Sequence, residues 1–315
     1  MGFHPDPEVP ISLSTAVAEP RDRPHYDTLL GTLVRYRRTY LNYPAVIFRI
    51  LTNRFPIHAR LRTGGVIELS DHAQTYNYSI YACLGWSVDP KSQSVMIPGD
   101  SGRPPLVFSG ALSDGDLKEV YGEEEYGSLD VYGRTVIDIG SSIGDSAIYF
   151  ALRGAREVIG LEPFPTTHSH AVENVKRNGL SSRVKILRAA CQAYDGHIQL
   201  NEHLVGTVGL SATESPGEHL TEALSLKSIV DRFKVHSGVL KVDCEGDEYD
   251  IFDSVDNETL RAFDQIMIEY HFGLRRLVDK LLSAGFLVRY TRPRRTRNPS
   301  SGKVLQQGLI NAAIG

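Results

Sequence analysis

From Thr135 onward the hydrophobic positions alternate between two rhythms. Short β-branched or apolar runs at Thr135–Ile139, Glu157–Leu161, Val184–Ala189, Gly238–Val242 and Gln265–Tyr270 predict strands buried on both faces. Between them, Asp145–Leu152, Thr167–Asn178, Leu224–Phe233, Tyr249–Val255 and Leu274–Leu282 carry helical spacing, with Gly179 and Gly285 as stop signals. His197–Leu200 and Val208–Ala212 read as a hairpin inserted after the third strand. Phe286–Tyr290 and Gln307–Ala313 follow with no helix between them, only the basic stretch TRPRRTRNPSSGK, which reads as a loop. That closing pair must be a hairpin, so one strand runs antiparallel. The pattern predicts an α/β fold with a mostly parallel seven-stranded sheet and helices on both faces.

Upstream the rhythm is different. Residues 1–25 hold Pro5, Pro7, Pro10, Pro20 and Pro24 with little periodic hydrophobicity, and read as a flexible tail. Tyr26–Phe55 is helical in pattern, divided near Pro44 and interleaved with Arg35, Arg37, Arg38, Arg49 and Arg54. Ile57–Arg62 and Val66–Ser70 flank Thr63-Gly64-Gly65 as a hairpin, Tyr76–Leu84 is a helix, and Val88–Leu112 is turn-rich strand. Asp114–Asp130 has seven acidic residues against one lysine. We divide the chain into a tail over 1–25, an N-terminal α+β accessory region over 26–130 for substrate or oligomer contacts, and a main domain over 131–315.

Composition narrows the classes. The chain has 315 residues, 41% hydrophobic and 23% charged, with a formal net charge of -4. That balance does not advertise nucleic acid or an anionic membrane as partner. Three dispersed cysteines form no C-x-x-C pair or zinc spacing, which points to a reduced compartment. With no secretory signal and no apolar run of membrane-spanning length, a cytoplasmic location is expected. The oligomeric state is left open.

Three constellations carry chemistry. The turn Asp138-Ile-Gly140-Ser141-Ser-Ile-Gly144-Asp145 joins a strand to a helix N-terminus, where glycine permits close backbone approach and free amides meet an anionic group. It departs from G-x-G-x-x-G at Ser142 and Asp145. Asp145 opposes a pyrophosphate but tolerates a cofactor carrying its own ammonium, which favours S-adenosylmethionine over a dinucleotide. Glu162 at the tip of the second strand suits a ribose diol. Second, Asp243-Cys-Glu245-Gly246-Asp247-Glu248 crowds carboxylates at a strand end, able to hold a metal, position a cationic cofactor or deprotonate a hydroxyl. Asp243 and Glu245 read as functional; Asp247 and Glu248 read as a solvated helix N-terminus. Third, Glu269 and His271 alternate at the end of the fifth strand and share one face, with His271 a candidate general base. No metal-ligand set is assigned.

Together VIDIGSSIGDSAIYFALRGAREVIGLEP, LKVDCEGDEYDIF and IMIEYH resemble the FkbM family of S-adenosylmethionine-dependent methyltransferases, from about Tyr126 to the C-terminus. The resemblance implies a class I, Rossmann-like methyltransferase fold and O-methylation of a hydroxyl on a sugar-, lipid- or polyketide-like small molecule. It places Asp138, Gly140, Ser141, Gly144 and Asp145 in the cofactor loop, Glu162 at the ribose and Ala190 at the adenine. Asp243 and Glu245 fall beside the transferred methyl. The chain departs at Leu226-Lys227, where Leu-Asp is expected.

The activated methyl needs in-line positioning and removal of the acceptor's proton, by His271, Asp243, Glu245 or Glu269. Two rival readings remain. One is an RNA or tRNA methyltransferase that grips phosphates with Arg292, Arg294, Arg295, Arg297 and the arginine-rich N-terminal region; this nucleic-acid partner is not favoured. The other is a non-catalytic cofactor-binding module.

Overall fold

The computed structural model describes residues 28–89, 92, 94–99, 102–112, 116–201, 219–297 and 304–315. The expected tail over 1–25 and the expected strand Val208–Ala212 lie outside these residues.

In chain order the N-terminal region contains α1 (Leu29–Thr39), α2 (Tyr43–Leu51), β1 (Ile57–Arg60), β2 (Val66–Leu69), α3 (His72–Cys83), β3 (Ser87–Asp89), β4 (Ser94–Ile97) and β5 (Leu106–Phe108). Pro44 sits in the first turn of α2, where its missing N–H is no loss. Asp71 caps α3 by accepting from the Gln74 amide. A single π-helical turn, Lys118–Gly122, leads toward the main sheet.

The second half runs β6 (Thr135–Ile139), α4 (Asp145–Leu152), β7 (Glu157–Leu161), α5 (Pro165–Arg177), β8 (Val184–Leu187), β9 (Ala189–Gln192), β10 (Gly196–Leu200), β11 (His219–Ser225), α6 (Leu226–Phe233), β12 (Gly238–Val242), α7 (Glu248–Ser254), α8 (Asn257–Leu260), β13 (Phe263–Tyr270), α9 (Arg275–Ser283), β14 (Phe286–Tyr290), β15 (Arg294–Arg297) and β16 (Val304–Ile314).

The large sheet has the order β14-β16-β13-β12-β6-β7-β8, with β15 paired to the free end of β16. Strand β16 is antiparallel to both β13 and β14, while β12, β6, β7 and β8 run parallel. This is the class I, Rossmann-like methyltransferase sheet, with the antiparallel strand where the missing helix required it. The chain reverses its direction of travel across the sheet between β6 and β12, and open α/β sheets bind ligands beyond the carboxyl ends of the strands at such a point.

Strand alternation divides the interior. Val136, Val158, Val239 and Met267 join one core, which α4, α5 and the N-terminal region cover with Ile148, Phe150, Val175, Tyr36, Val46 and Phe108. Ile137, Ile159, Leu240, Val242, Ile266 and Ile268 join the other, under α6, α7 and α9. The N-terminal region therefore shares a continuous core with the sheet. Helix α5 binds it by two asparagines one turn apart. Asn174 Oδ1 accepts from the Ser109 amide at 2.7 Å, and its Nδ2 donates to the carbonyls of Ser109 and Ile143, each at 3.0 Å. Asn178 does the same for Val107.

Two segments differ from the sequence-based expectation. His219–Ser225 is a strand, pairing with β10 and with β9, and the helix begins only at Leu226. Ser225 ends the strand and caps α6, its Oγ accepting from the Ser228 amide. Part of the basic stretch is also strand: Arg294–Arg297 pairs with Val304–Gln307, because edge pairing needs only backbone groups and leaves the Arg294 and Arg295 side chains in water.

Candidate active site

The turn after β6 is built from beneath. The carbonyl of Leu161 accepts from both the Gly140 and Ser141 amides at 3.0 Å, folding the loop over the tip of β7. Gly140 has φ +75°, and a Cβ there would lie 1.8 Å from the Asp243 carbonyl oxygen. The loops after β6 and β12 therefore touch through a glycine that no other residue replaces without displacing one of them. Ser141 is fully buried with an Oγ that has no hydrogen-bond partner.

Asp138 and Asp145 are walls behind the loop rather than surfaces of the crevice. Asp138 is wholly buried, accepts from Ser146 Oγ at 2.7 Å and lies 3.3 Å from Lys241 Nζ. Asp145 accepts from the Asp116 amide at 2.8 Å and the Ser146 amide at 3.0 Å. Through the Asp116 amide, its carboxylate also holds the N-terminal region against the loop. Glu162, nearly buried at the tip of β7, accepts from the Phe164 amide at 3.0 Å. Ala190 is buried in a small cluster with Ile198, Leu200 and Ala223, against which Phe164 packs.

The other side of the crevice follows β12 and β13. Lys241 Nζ donates to the Gly140 carbonyl at 2.7 Å and lies 3.7 Å from Asp243 Oδ2, so one buried ammonium links both loops. Glu245 occupies the left-handed region at φ +59°, which turns the chain before α7. Asp247 and Glu248, expected to be solvated, are buried. Asp247 Oδ2 accepts from Gln192 Nε2 at 2.9 Å. Glu248 Oε1 meets the His271 backbone amide at 3.1 Å and His271 Nδ1 at 2.9 Å, and Oε2 accepts from the Gly246 amide. These partners compensate the desolvation that a buried carboxylate otherwise suffers. His271 Nε2 then faces Glu245 Oε2 at 3.3 Å. Tyr249 fixes the strand end, its hydroxyl donating to the Gly273 carbonyl and accepting from the Phe272 amide.

The electrostatics follow from this crowding. Burial opposes an imidazolium at His271, but the Glu248 hydrogen bond and the charges of Glu248, Glu245 and Asp243 outweigh it and lift its pKa to about 10. Burial first, then the Asp243 charge, pushes Glu245 and Glu269 up from the ordinary carboxylate range. Burial likewise pushes Asp145 up to about 6, against its two backbone hydrogen bonds. Burial works against the Lys241 ammonium, yet Asp138, Asp243 and Asp145 hold its pKa above the usual lysine range.

Asp243, Glu245, Glu269 and His271 thus converge at one strand end, and Gly140, Ser141 and Glu162 gather on the other side of the Gly140–Asp243 contact. Two participants escaped the sequence reading. Lys241 is marked in the sequence as a charge inside an apolar strand, while Glu248 carries no signal beyond that of a helix N-terminal acid. The donor set is of a kind S-adenosylmethionine can use: an acid at a strand tip, a buried hydroxyl without a hydrogen-bond partner and clustered carboxylates.

Residues 138–288 match the profile of the Methyltransferase FkbM domain. Among curated relatives, the ribosomal protein L11 methyltransferase of Vibrio campbellii is 28% identical over 115 residues, covering 36% of this chain and 37% of that protein. The protein of the same description from Actinobacillus pleuropneumoniae is 27% identical over 124 residues, covering 39% and 40%. The chain thus spans about two fifths of the length of these relatives. Similar solved structures include precorrin-6y C5,15-methyltransferase from Geobacter metallireducens, with TM-score 0.38, 14% identity and coverage of 62% and 88%. Another is M. jannaschii TYW2 in complex with AdoMet, with TM-score 0.37, 13% identity and coverage of 71% and 87%. Residues 138–288 thus carry the match to the Methyltransferase FkbM domain, and they hold every strand-end residue of the crevice described above.

Proposed function

We propose that this protein transfers the methyl group of S-adenosylmethionine to a hydroxyl of a sugar-, lipid- or polyketide-like small molecule. The observation that carries the reading is the two-sided crevice joined at Gly140 and Asp243. One side offers Glu162 and the glycine turn, and the other offers acids and an imidazole, held together where a Cβ on Gly140 would lie 1.8 Å from the Asp243 carbonyl oxygen. The cofactor supplies a methyl already activated on sulfur.

The chain's own residues then have three tasks. Glu162 accepts hydrogen bonds from the ribose hydroxyls. Asp243 and its neighbours surround the positive end of the cofactor with negative charge, which favours binding in a partly dry crevice. A carboxylate takes the acceptor's proton. His271 is a positioning residue in this reading, since Nδ1 is held by Glu248 and Nε2 faces Glu245. Glu269, two residues earlier on the same strand face, is the proton acceptor.

Calorimetry with S-adenosylmethionine, followed by methyl transfer to a panel of hydroxyl acceptors, tests the reading. Glu162→Gln should weaken cofactor binding by at least roughly tenfold, the loss expected of a charge-assisted hydrogen bond. Glu269→Gln should slow transfer while binding stays near wild type. A chain that does not bind S-adenosylmethionine overturns the proposal.

One observation supports RNA as a second acceptor class. The Gln306 amide donates to the His271 carbonyl at 2.9 Å, so the hairpin carrying exposed Arg292, Arg294 and Arg295 starts at the crevice wall. RNA binding that weakens steeply with salt would favour that acceptor over a small molecule.

A further inference from the structure

We infer that Asp243, Glu245 and His271 form a binding site for one divalent cation of the manganese type, with open positions toward the crevice. Their ligand atoms all lie within 4.8 Å of one another, a span that fits ligands around a single ion. The imidazole is prepared for the task. Glu248, wholly buried, engages both the backbone amide and Nδ1 of His271, which fixes the ring and leaves Nε2 directed at the two half-buried carboxylates. A carboxylate behind a histidine is how metal-binding imidazoles are oriented.

A second observation concerns what occupies the space between them. Glu245 Oε2 is a buried oxygen without a hydrogen-bond partner, although it lies 3.3 Å from His271 Nε2. The spacing that an ion pair takes also suits two neighbouring ligands of one cation, whose binding would displace the proton held on the imidazole. Two carboxylates and one imidazole are a mixed, mostly hard set, suited to Mn2+ and tolerant of Mg2+.

Bound there, the cation would offset the crowded negative charge and orient an acceptor hydroxyl, leaving Glu269 to take its proton. That role rests on the methyl-transfer reading; the binding itself does not.

The test is Mn2+ binding to the full chain, followed by calorimetry and by the loss of the free-ion electron paramagnetic resonance signal. One ion per chain is expected, with affinity falling at least tenfold in Glu245→Gln and in His271→Gln. Glu245 is half-buried, so Glu245→Gln decides the matter if His271→Gln fails to fold. Binding unchanged in Glu245→Gln, or no binding in wild type, overturns the inference. Calorimetry with S-adenosylmethionine on the same samples separates the two ideas. Cofactor binding without a manganese site removes only the cation, and manganese binding without cofactor removes only the methyl-transfer reading.

Discussion

Lys241 Nζ lies 3.3 Å from Asp138 Oδ1, and both side chains are sealed from water, with 2% and 0% of their surface exposed. The pair sits beneath the loop it supports, because the same ammonium donates to the Gly140 carbonyl. Removing one partner leaves an uncompensated buried charge, at a cost of about 3–5 kcal/mol. Lys241→Met should show that loss in urea unfolding. The double variant Asp138→Asn/Lys241→Met should lose clearly less than the sum of the two single changes. Additive losses would mean the two charges do not interact.

Gly140 gives a sharper test of the contact between the loops. Gly140→Ala adds strain at φ +75° and places a methyl 1.8 Å from the Asp243 oxygen. Gly133 has φ +69° with nothing within 4 Å of an added Cβ, and so isolates the strain alone. Gly133→Ala should cost on the order of 1 kcal/mol. Gly140→Ala should cost clearly more and also weaken S-adenosylmethionine binding in calorimetry. Equal effects from the two would dismiss the close approach.

Asp145 makes stability depend on pH. Its folded pKa, about 6, lies above its unfolded value, so the folded state holds the proton more tightly. This contribution is fully present below about pH 4 and is lost as pH rises toward 6, amounting to about 3 kcal/mol. Asp145→Asn carries no such penalty. Its stability relative to wild type should therefore improve between pH 4 and pH 7 when both are unfolded in urea. A difference that stays constant over that range would contradict the burial of an ionising Asp145.

Asn174 connects the N-terminal region to the cofactor loop through Ser109 and Ile143. Asn174→Leu keeps the volume but leaves three backbone groups without partners, one buried at Ile143 and two part-buried at Ser109, costing about 3 kcal/mol. Because Ile143 belongs to the loop, S-adenosylmethionine should also bind more weakly. Asn178→Leu loses the Val107 contacts but not the loop contact, and should destabilise without changing cofactor affinity. Identical cofactor affinity in both variants would uncouple Asn174 from the loop.

The central strands were legible because burial on both faces makes β6, β7 and β12 mostly apolar, and β13 keeps an apolar centre at Ile266–Ile268. Half-exposed strands give no such signal. His219–Ser225 was missed as a strand since its pairing partners are remote in sequence. Arg294–Arg297 looked like loop since an edge ladder asks nothing of its side chains. In the site, sequence position at strand ends brought Asp243, Glu245, Glu269 and His271 together. Burial at Asp247 and Glu248 was invisible because it depends on Gln192 and His271, which supply the compensating partners from other elements.

Strand β16 stands between β13 and β14, which do not pair with each other. The residues that match the family profile stop at 288, inside β14, and begin at 138, inside β6. A fragment cut to those limits would lack the first half of its central strand. It would also expose the Gln265–Tyr270 hydrogen-bonding edge, leave β14 without a partner, and uncover the sheet face that the N-terminal region shields. Open edges and bare apolar faces of this kind drive chains to aggregate. The stretch most recognisable in sequence is thus not a unit that can be expressed alone, and a soluble fragment must reach Ile314 and keep the helices that open the described chain.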